Sequence, residues 1–209
     1  MIRCRLAPQP RGFQARVRQP DRAWLKKHRT GRPPPYWLNA WEDVANAFED
    51  RCAYTAMWIG APGTVDHFVS VDEKRRLAYE WSNYRYAAGW INSSKSKLSS
   101  RDIIDPFVVG KGWFEILLPS CQMVRTRRCP KKFRVRADNM LNRLHLGHDE
   151  RVVRYRRHWI EQYDRKKIPC RIWIRRPLSW LRRCGSATLR AGGAKRRRPL
   201  VRIQYRALK

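Results

Sequence analysis

The chain predicts an α+β fold: a small strand, loop, strand, helix core with flanking α-helices and basic, partly irregular termini. Three observations predict it. Gly60-Ala61-Pro62-Gly63 is a turn signal, and it leads into Thr64-Val65-Asp66-His67-Phe68-Val69, a run rich in strand formers. A second strand-like run covers 78–86 and carries Tyr79, Trp81, Tyr84 and Tyr86. Apolar residues recur at helical spacing on either side of these runs.

Each element has its own signal. Residues 1–35 read as an irregular arm, because Pro8, Pro10, Pro20 and Pro33-Pro34-Pro35 interrupt any period. Residues 37–50 read as an amphipathic helix, with Trp37, Trp41, Val44, Ala45 and Phe48 on its core side. The strands at 64–69 and 78–86 come next, and Gly89 precedes a short helix over 90–98. Gly110-Lys111-Gly112 is expected to join two short strands, 106–109 and 113–118. Residues 137–146 and 149–166 read as two helices, the second capped by Asp149. The domain organisation is therefore an arm at 1–35, a central domain at 36–167 and an Arg-rich tail at 168–209.

A chain of 209 residues is one compact domain plus extensions. Its hydrophobic fraction of 43% and ten Trp exclude a wholly disordered protein. No run of 18 apolar residues is present, so no membrane span is expected. The start, Met1-Ile2-Arg3-Cys4-Arg5, shows no secretory signal. The six cysteines (Cys4, Cys52, Cys121, Cys129, Cys170, Cys184) form no Cys-x-x-Cys pair. Scattered thiols of a cytoplasmic protein are expected, without a structural zinc.

The net charge of +30 calls for a polyanionic partner. Its distribution is uneven. Residues 1–35 hold 10 basic and 1 acidic residue, and 170–209 hold 13 basic and none acidic. Residues 36–100 hold 7 basic and 8 acidic residues, whereas 101–169 hold 17 basic and 8 acidic. A near-neutral segment thus sits between cationic flanks.

That segment carries the candidate chemistry: Asp66-His67, then Asn83, then Asn92-Ser93-Ser94-Lys95. Phosphodiester hydrolysis needs an activated water and stabilisation of charge on the phosphoryl and leaving oxygens. Mg²⁺ takes oxygen ligands and keeps several waters, so one carboxylate and one amide oxygen can suffice. Asp66 and Asn92 offer those, and His67 can accept the water's proton near neutral pH. Neighbours on a strand point to opposite faces. Asp66 and His67 converge only if the strand is twisted or bulged there, or if the phosphate sits at the strand's end. Taken singly, Asn83 reads as a turn residue and Asn92 as a helix cap. Arg85 reads either as a phosphate contact or as half of a structural salt bridge. His28, His145, His148 and His158 have no partners in motif spacing.

The order and spacing of Thr64-Val65-Asp66-His67-Phe68, Tyr79-Glu80-Trp81-Ser82-Asn83-Tyr84-Arg85 and Asn92-Ser93-Ser94-Lys95 resemble the HNH endonuclease family. The resemblance extends more weakly to Cys52-Ala53-Tyr54, Asp105-Pro106-Phe107 and Gly112-Trp113-Phe114. It implies a ββα-metal core, with Asp66 and Asn92 as metal ligands and His67 as general base. It further implies that Asn83 braces the loop and fixes the His, and that Lys95 contacts phosphate. Asn in the last signature position implies Mg²⁺ or Mn²⁺. Many relatives carry a Cys-x-x-Cys pair that this chain lacks, and Val69-Ser70-Val71 replaces a Pro-Lys loop. The longer pattern also resembles HNH proteins of anti-phage defence systems, such as the Zorya nuclease component. The resemblance therefore implies a metal-dependent endonuclease acting on double-stranded DNA, with other defence-complex subunits as candidate partners. The alternative from another class is a non-catalytic, basic nucleic-acid-binding protein.

Overall fold

The computed structural model describes residues 4–59, 62–96, 98–118 and 120–164. The Arg-rich tail expected at 168–209, and the domain boundary before it, lie outside the described residues. The architecture is a mixture of helices with two separate two-stranded antiparallel sheets, an α+β arrangement.

The N-terminal region is not the irregular arm that its prolines suggest. A π-helical turn at Gln14–Arg18 runs directly into helix α1, Gln19–Lys27. Pro20 sits in the first turn of α1, where a missing N–H costs little. In a regular α-helix its ring would press on the carbonyl of Arg16, and the wider π turn falls just before it. That carbonyl is instead used by Asn39, whose Nδ2 donates to it at 3.1 Å. Phe13 and Val17 are fully buried, and Phe13 packs edge-on against Trp81 and Tyr84. Residues 1–35 are thus partly built into the core. Residues 4–12, before the π turn, and the stretch from His28 to Pro35 have no regular helix or strand.

The expected helix at 37–50 divides into a 3₁₀ turn, Tyr36–Ala40, and helix α2, Trp41–Ala47. Val44 and Ala45 are buried beneath it, as the spacing predicts. Strand β1, Thr64–His67, pairs with β2, Tyr84–Ala87, with Asp66 opposite Arg85 and His67 opposite Tyr84. The register is continuous, without a bulge. Helix α3, Gly89–Lys95, comes next and buries Ile91 and Lys95, four residues apart on one face. The strand, loop, strand, helix order expected for 64–98 is therefore present.

The expected hairpin across Gly110-Lys111-Gly112 does not form. Residues 106–108 lie in a turn and 109 in no regular element, and β3, Phe114–Leu117, pairs with β4, Gln122–Arg125. Trp113 explains it: a Cβ on Gly110 would lie 2.2 Å from the Trp113 indole nitrogen, so the ring folds back over Gly110. Gly112, at φ +77°, then turns the chain outward. Helices α4, Arg134–Arg143, and α5, Glu150–Asp164, complete the fold. Asp149 caps α5 as expected, its Oδ1 accepting from the Arg151 amide at 2.9 Å.

Candidate functional site

β1, β2 and α3 bring together the polar residues that the sequence singles out. A cavity of about 260 Å³ is lined by Asp66, His67, Asn92 and Lys95, together with Arg32 and Trp37. Asp66 and His67 leave opposite faces of β1, each sharing a face with its partner on β2. They meet at the cavity because it lies at the end of the strand, not because the strand is bulged.

His67 is fixed on three sides. Its Nε2 lies 2.7 Å from the Ala78 carbonyl. Only an N–H can bond a carbonyl oxygen, so Nε2 carries the proton and Nδ1 is the acceptor. Trp37 and Tyr84 stand edge-on to the imidazole at 4.7 and 5.3 Å between ring centres. Burial lowers the His67 pKa below the usual 6.5, against the opposing pull of the Ala78 carbonyl and Asp66. The ring is therefore neutral at pH 7, the form a general base needs.

Asn83 holds the loop that presents Ala78. Its Oδ1 accepts from the Val69 amide at 2.8 Å. Its Nδ2 donates to the carbonyls of Val69 and Leu77 at 2.9 and 3.0 Å. The brace fits the expectation from sequence, but Asn83 is buried and does not line the cavity. It braces the Leu77-Ala78 backbone, whose Ala78 carbonyl bonds His67.

Asp66 is buried and both of its oxygens are engaged. Lys95 Nζ donates to Oδ1 at 3.0 Å and to the His67 carbonyl at 2.7 Å. The Tyr54 hydroxyl donates to Oδ2 at 2.5 Å. Lys95 is only 3% exposed, so the expected phosphate contact is instead an internal counter-charge for Asp66. The sequence places Tyr54 only at the fringe of the motif. No local pattern marks it, because it reaches Asp66 through the turn at 52–57, where the Ala53 amide bonds the Tyr86 carbonyl. Burial and the neighbouring Asp66 push the Tyr54 phenol well above its ordinary pKa, so it stays a donor.

Asn92 is tied to β1 by its Nδ2, which donates to Thr64 Oγ1 at 3.0 Å. This leaves its amide oxygen without a hydrogen bond among the described residues. Arg85 takes the salt-bridge reading. Its Nε and Nη2 bind both oxygens of Asp105 at 3.0 and 2.7 Å, and Nη1 donates to the Ser82 and Tyr84 carbonyls. Its guanidinium lies 3.6 Å from the Phe107 ring centre. At 2% exposure, and absent from the cavity lining, Arg85 is a core strut rather than a nucleic-acid contact.

Asp66 and Asn92 both carry oxygen donors at the cavity, but the Asp66 oxygens are engaged by Lys95 and Tyr54, whereas the Asn92 amide oxygen is open among the described residues. Among the described residues no group of three or more His, Cys, Asp or Glu is placed around one point. That donor set suits a hard ion that keeps most of its water, rather than one held in an all-protein cage. The fit requires Lys95 to yield Asp66 Oδ1. Among the described residues no helix is long and apolar enough to cross a membrane. Comparison with protein-family models and with curated proteins finds no match for the chain.

Proposed function

We propose that the chain is a metal-dependent endonuclease that hydrolyses DNA phosphodiester bonds, with β1, β2 and α3 as a ββα-metal core of the HNH type. One observation carries the reading: a neutral His67 with Nε2 spent on Ala78 and Nδ1 left as acceptor, in a cavity shared with Asp66 and Asn92. Water enters beside His67. As its oxygen attacks phosphorus, its proton passes to Nδ1, and the bond from phosphorus to the leaving sugar oxygen breaks. The leaving oxygen takes a proton from solvent. Asp66 and Asn92 would hold Mg²⁺ or Mn²⁺, which supplies Lewis-acid stabilisation of the charge building on the phosphoryl and leaving oxygens. Asn83 keeps the Ala78 carbonyl, and so the His67 tautomer, in place.

The surplus of positive charge supports a nucleic-acid substrate held through its backbone, with affinity falling steeply as salt rises. A role against phage or other foreign DNA belongs to the same proposal and rests on sequence resemblance alone. A second reading, non-catalytic nucleic-acid binding, is favoured by one feature: Lys95 already neutralises Asp66 where a metal would bind. Plasmid nicking with and without EDTA separates the two. Cleavage that EDTA abolishes supports the endonuclease. Binding without cleavage, unchanged by EDTA, supports the alternative.

A further inference from the structure

The segment from His28 to Pro35 is irregular but not loose. Arg75 Nη2 donates to the Thr30 carbonyl at 3.0 Å, and the Arg75 guanidinium lies over the Trp24 ring at 4.8 Å. The Tyr79 hydroxyl donates to the Pro34 carbonyl at 2.7 Å. Gly31, at φ +86°, makes a bend that an L side chain rarely adopts, and the three prolines at 33–35 stiffen the chain. Arg32 lies between these two pins.

Arg32 is exposed, and among the described residues it has no hydrogen bond, ion pair or ring contact. It nevertheless lines the His67 cavity. It also lines a second cavity of about 630 Å³, which shares Arg32, Trp37, His67 and Val71 with the first. The second volume is within the about 300–1,000 Å³ of ordinary ligand sites. Asp66 and Lys95 cancel each other's charge in the first cavity. Asp72, the acidic residue lining the second, forms no ion pair with Arg32. Of the described residues that line both cavities, Arg32 is the one with a full charge.

We propose that Arg32 binds a backbone phosphate of the nucleic-acid substrate, so that the strand runs from the His67 cavity into the larger one past the pinned segment at 28–35. The inference rests on the nuclease reading for its substrate. A guanidinium offers paired donors to phosphate oxygens, and it needs no desolvation of a prior partner here. Arg75, which lines only the second cavity, is the strut of this device: its Nη2 holds the Thr30 carbonyl and its guanidinium lies over Trp24.

The test is fluorescence anisotropy of a short labelled DNA duplex, with the His67→Ala chain as the cleavage-free background. Adding Arg32→Ala should weaken binding by about tenfold, the loss of one charge-assisted contact. It should also lower the slope of log affinity against log salt by about one. Arg32→Lys should fall between. Lys131→Ala removes an equal charge from an exposed position lining neither cavity, and should change affinity less than about twofold. Thermal melting should be unchanged for both alanine variants. Wild-type affinity and salt slope for Arg32→Ala, an equal loss for Lys131→Ala, or no DNA binding at all would overturn the proposal. The readouts are separable. If the wild type cleaves but Arg32→Ala binds normally, only this inference fails. If the wild type binds through Arg32 but never cleaves, only the nuclease reading fails.

Discussion

The two sheets are built alike and used differently. β1–β2 and β3–β4 are each a pair of four-residue antiparallel strands. In β2 every side chain is buried, and in β1 the two central ones are. In β3 and β4 one residue each is buried and the rest reach solvent or partial exposure. The first sheet therefore hides charged groups and the second displays them. Asp66, Arg85 and Lys95 are at most 3% exposed. Each is tolerated only because it is fully partnered, by Lys95 and Tyr54, by Asp105, and by Asp66. The corresponding pair beside β4, Arg125 with Asp138, is open to water, with side chains 26% and 45% exposed. Charge buried at this cost marks the region where the chain has something to position.

The contrast between the two sheets is largest at Lys95. Lys95→Ala strands the Asp66 carboxylate with one hydrogen bond in a buried site, and should cost about 3–5 kcal/mol in urea unfolding. Mg²⁺ should recover more stability in this variant than in the wild type, because the ion then meets no competing ammonium. Equal Mg²⁺ effects would count against Asp66 as a ligand. Asn83→Ala comes next. It removes three hydrogen bonds and leaves the Val69 amide and carbonyl unsatisfied, while the Leu77 carbonyl keeps the Glu80 amide, for a loss of about 2–3 kcal/mol. Because Asn83 acts through Ala78, cleavage should fall in kcat while KM for DNA stays near wild type. A change confined to KM would assign it a substrate contact instead. Arg125→Ala, the matched break beside the open sheet, should cost about 0–1 kcal/mol and leave cleavage intact.

The smallest effect is the pH dependence of His67. Its pKa is held below 6.5 by burial, so protonation favours the unfolded chain. That stability is fully present above 6.5 and is lost as pH falls through the lower, folded value. Cleavage should decline over the same acid window, as Nδ1 takes a proton. His67→Ala should flatten the stability slope there. A cleavage midpoint above 6.5 would contradict a buried, neutral base.

Much of the site was legible in the sequence, and the missing parts share a cause. The strand, loop, strand, helix order and the meeting of Asp66, His67 and Asn92 come from local signals: a turn, β-branched and aromatic runs, and one motif spacing. The roles of Lys95 and Arg85 did not. Each depends on which partner the fold delivers, Asp66 from 29 residues away and Asp105 from 20. A solvent-exposed phosphate contact and a buried counter-charge look the same in one dimension. Tyr54 and Arg32 were missed for the same reason, since they enter from a turn and from the N-terminal segment. Helix α1 was hidden by reading Pro20 as a breaker, when its place in the first turn makes it compatible with helix. The β3–β4 pair was misplaced because Gly110 was read as a hairpin turn rather than as space for Trp113.

In the proposed function His67, beside Asp66 and Asn92, is the base of a metal-dependent phosphodiesterase. The direct measurement is conversion of supercoiled plasmid to nicked and linear forms by the full chain with Mg²⁺, run beside His67→Ala and beside EDTA. Nicking by the wild type that both His67→Ala and EDTA abolish, with DNA binding by the variant retained, is the predicted result. Full cleavage by His67→Ala, or cleavage that EDTA leaves untouched, would contradict it.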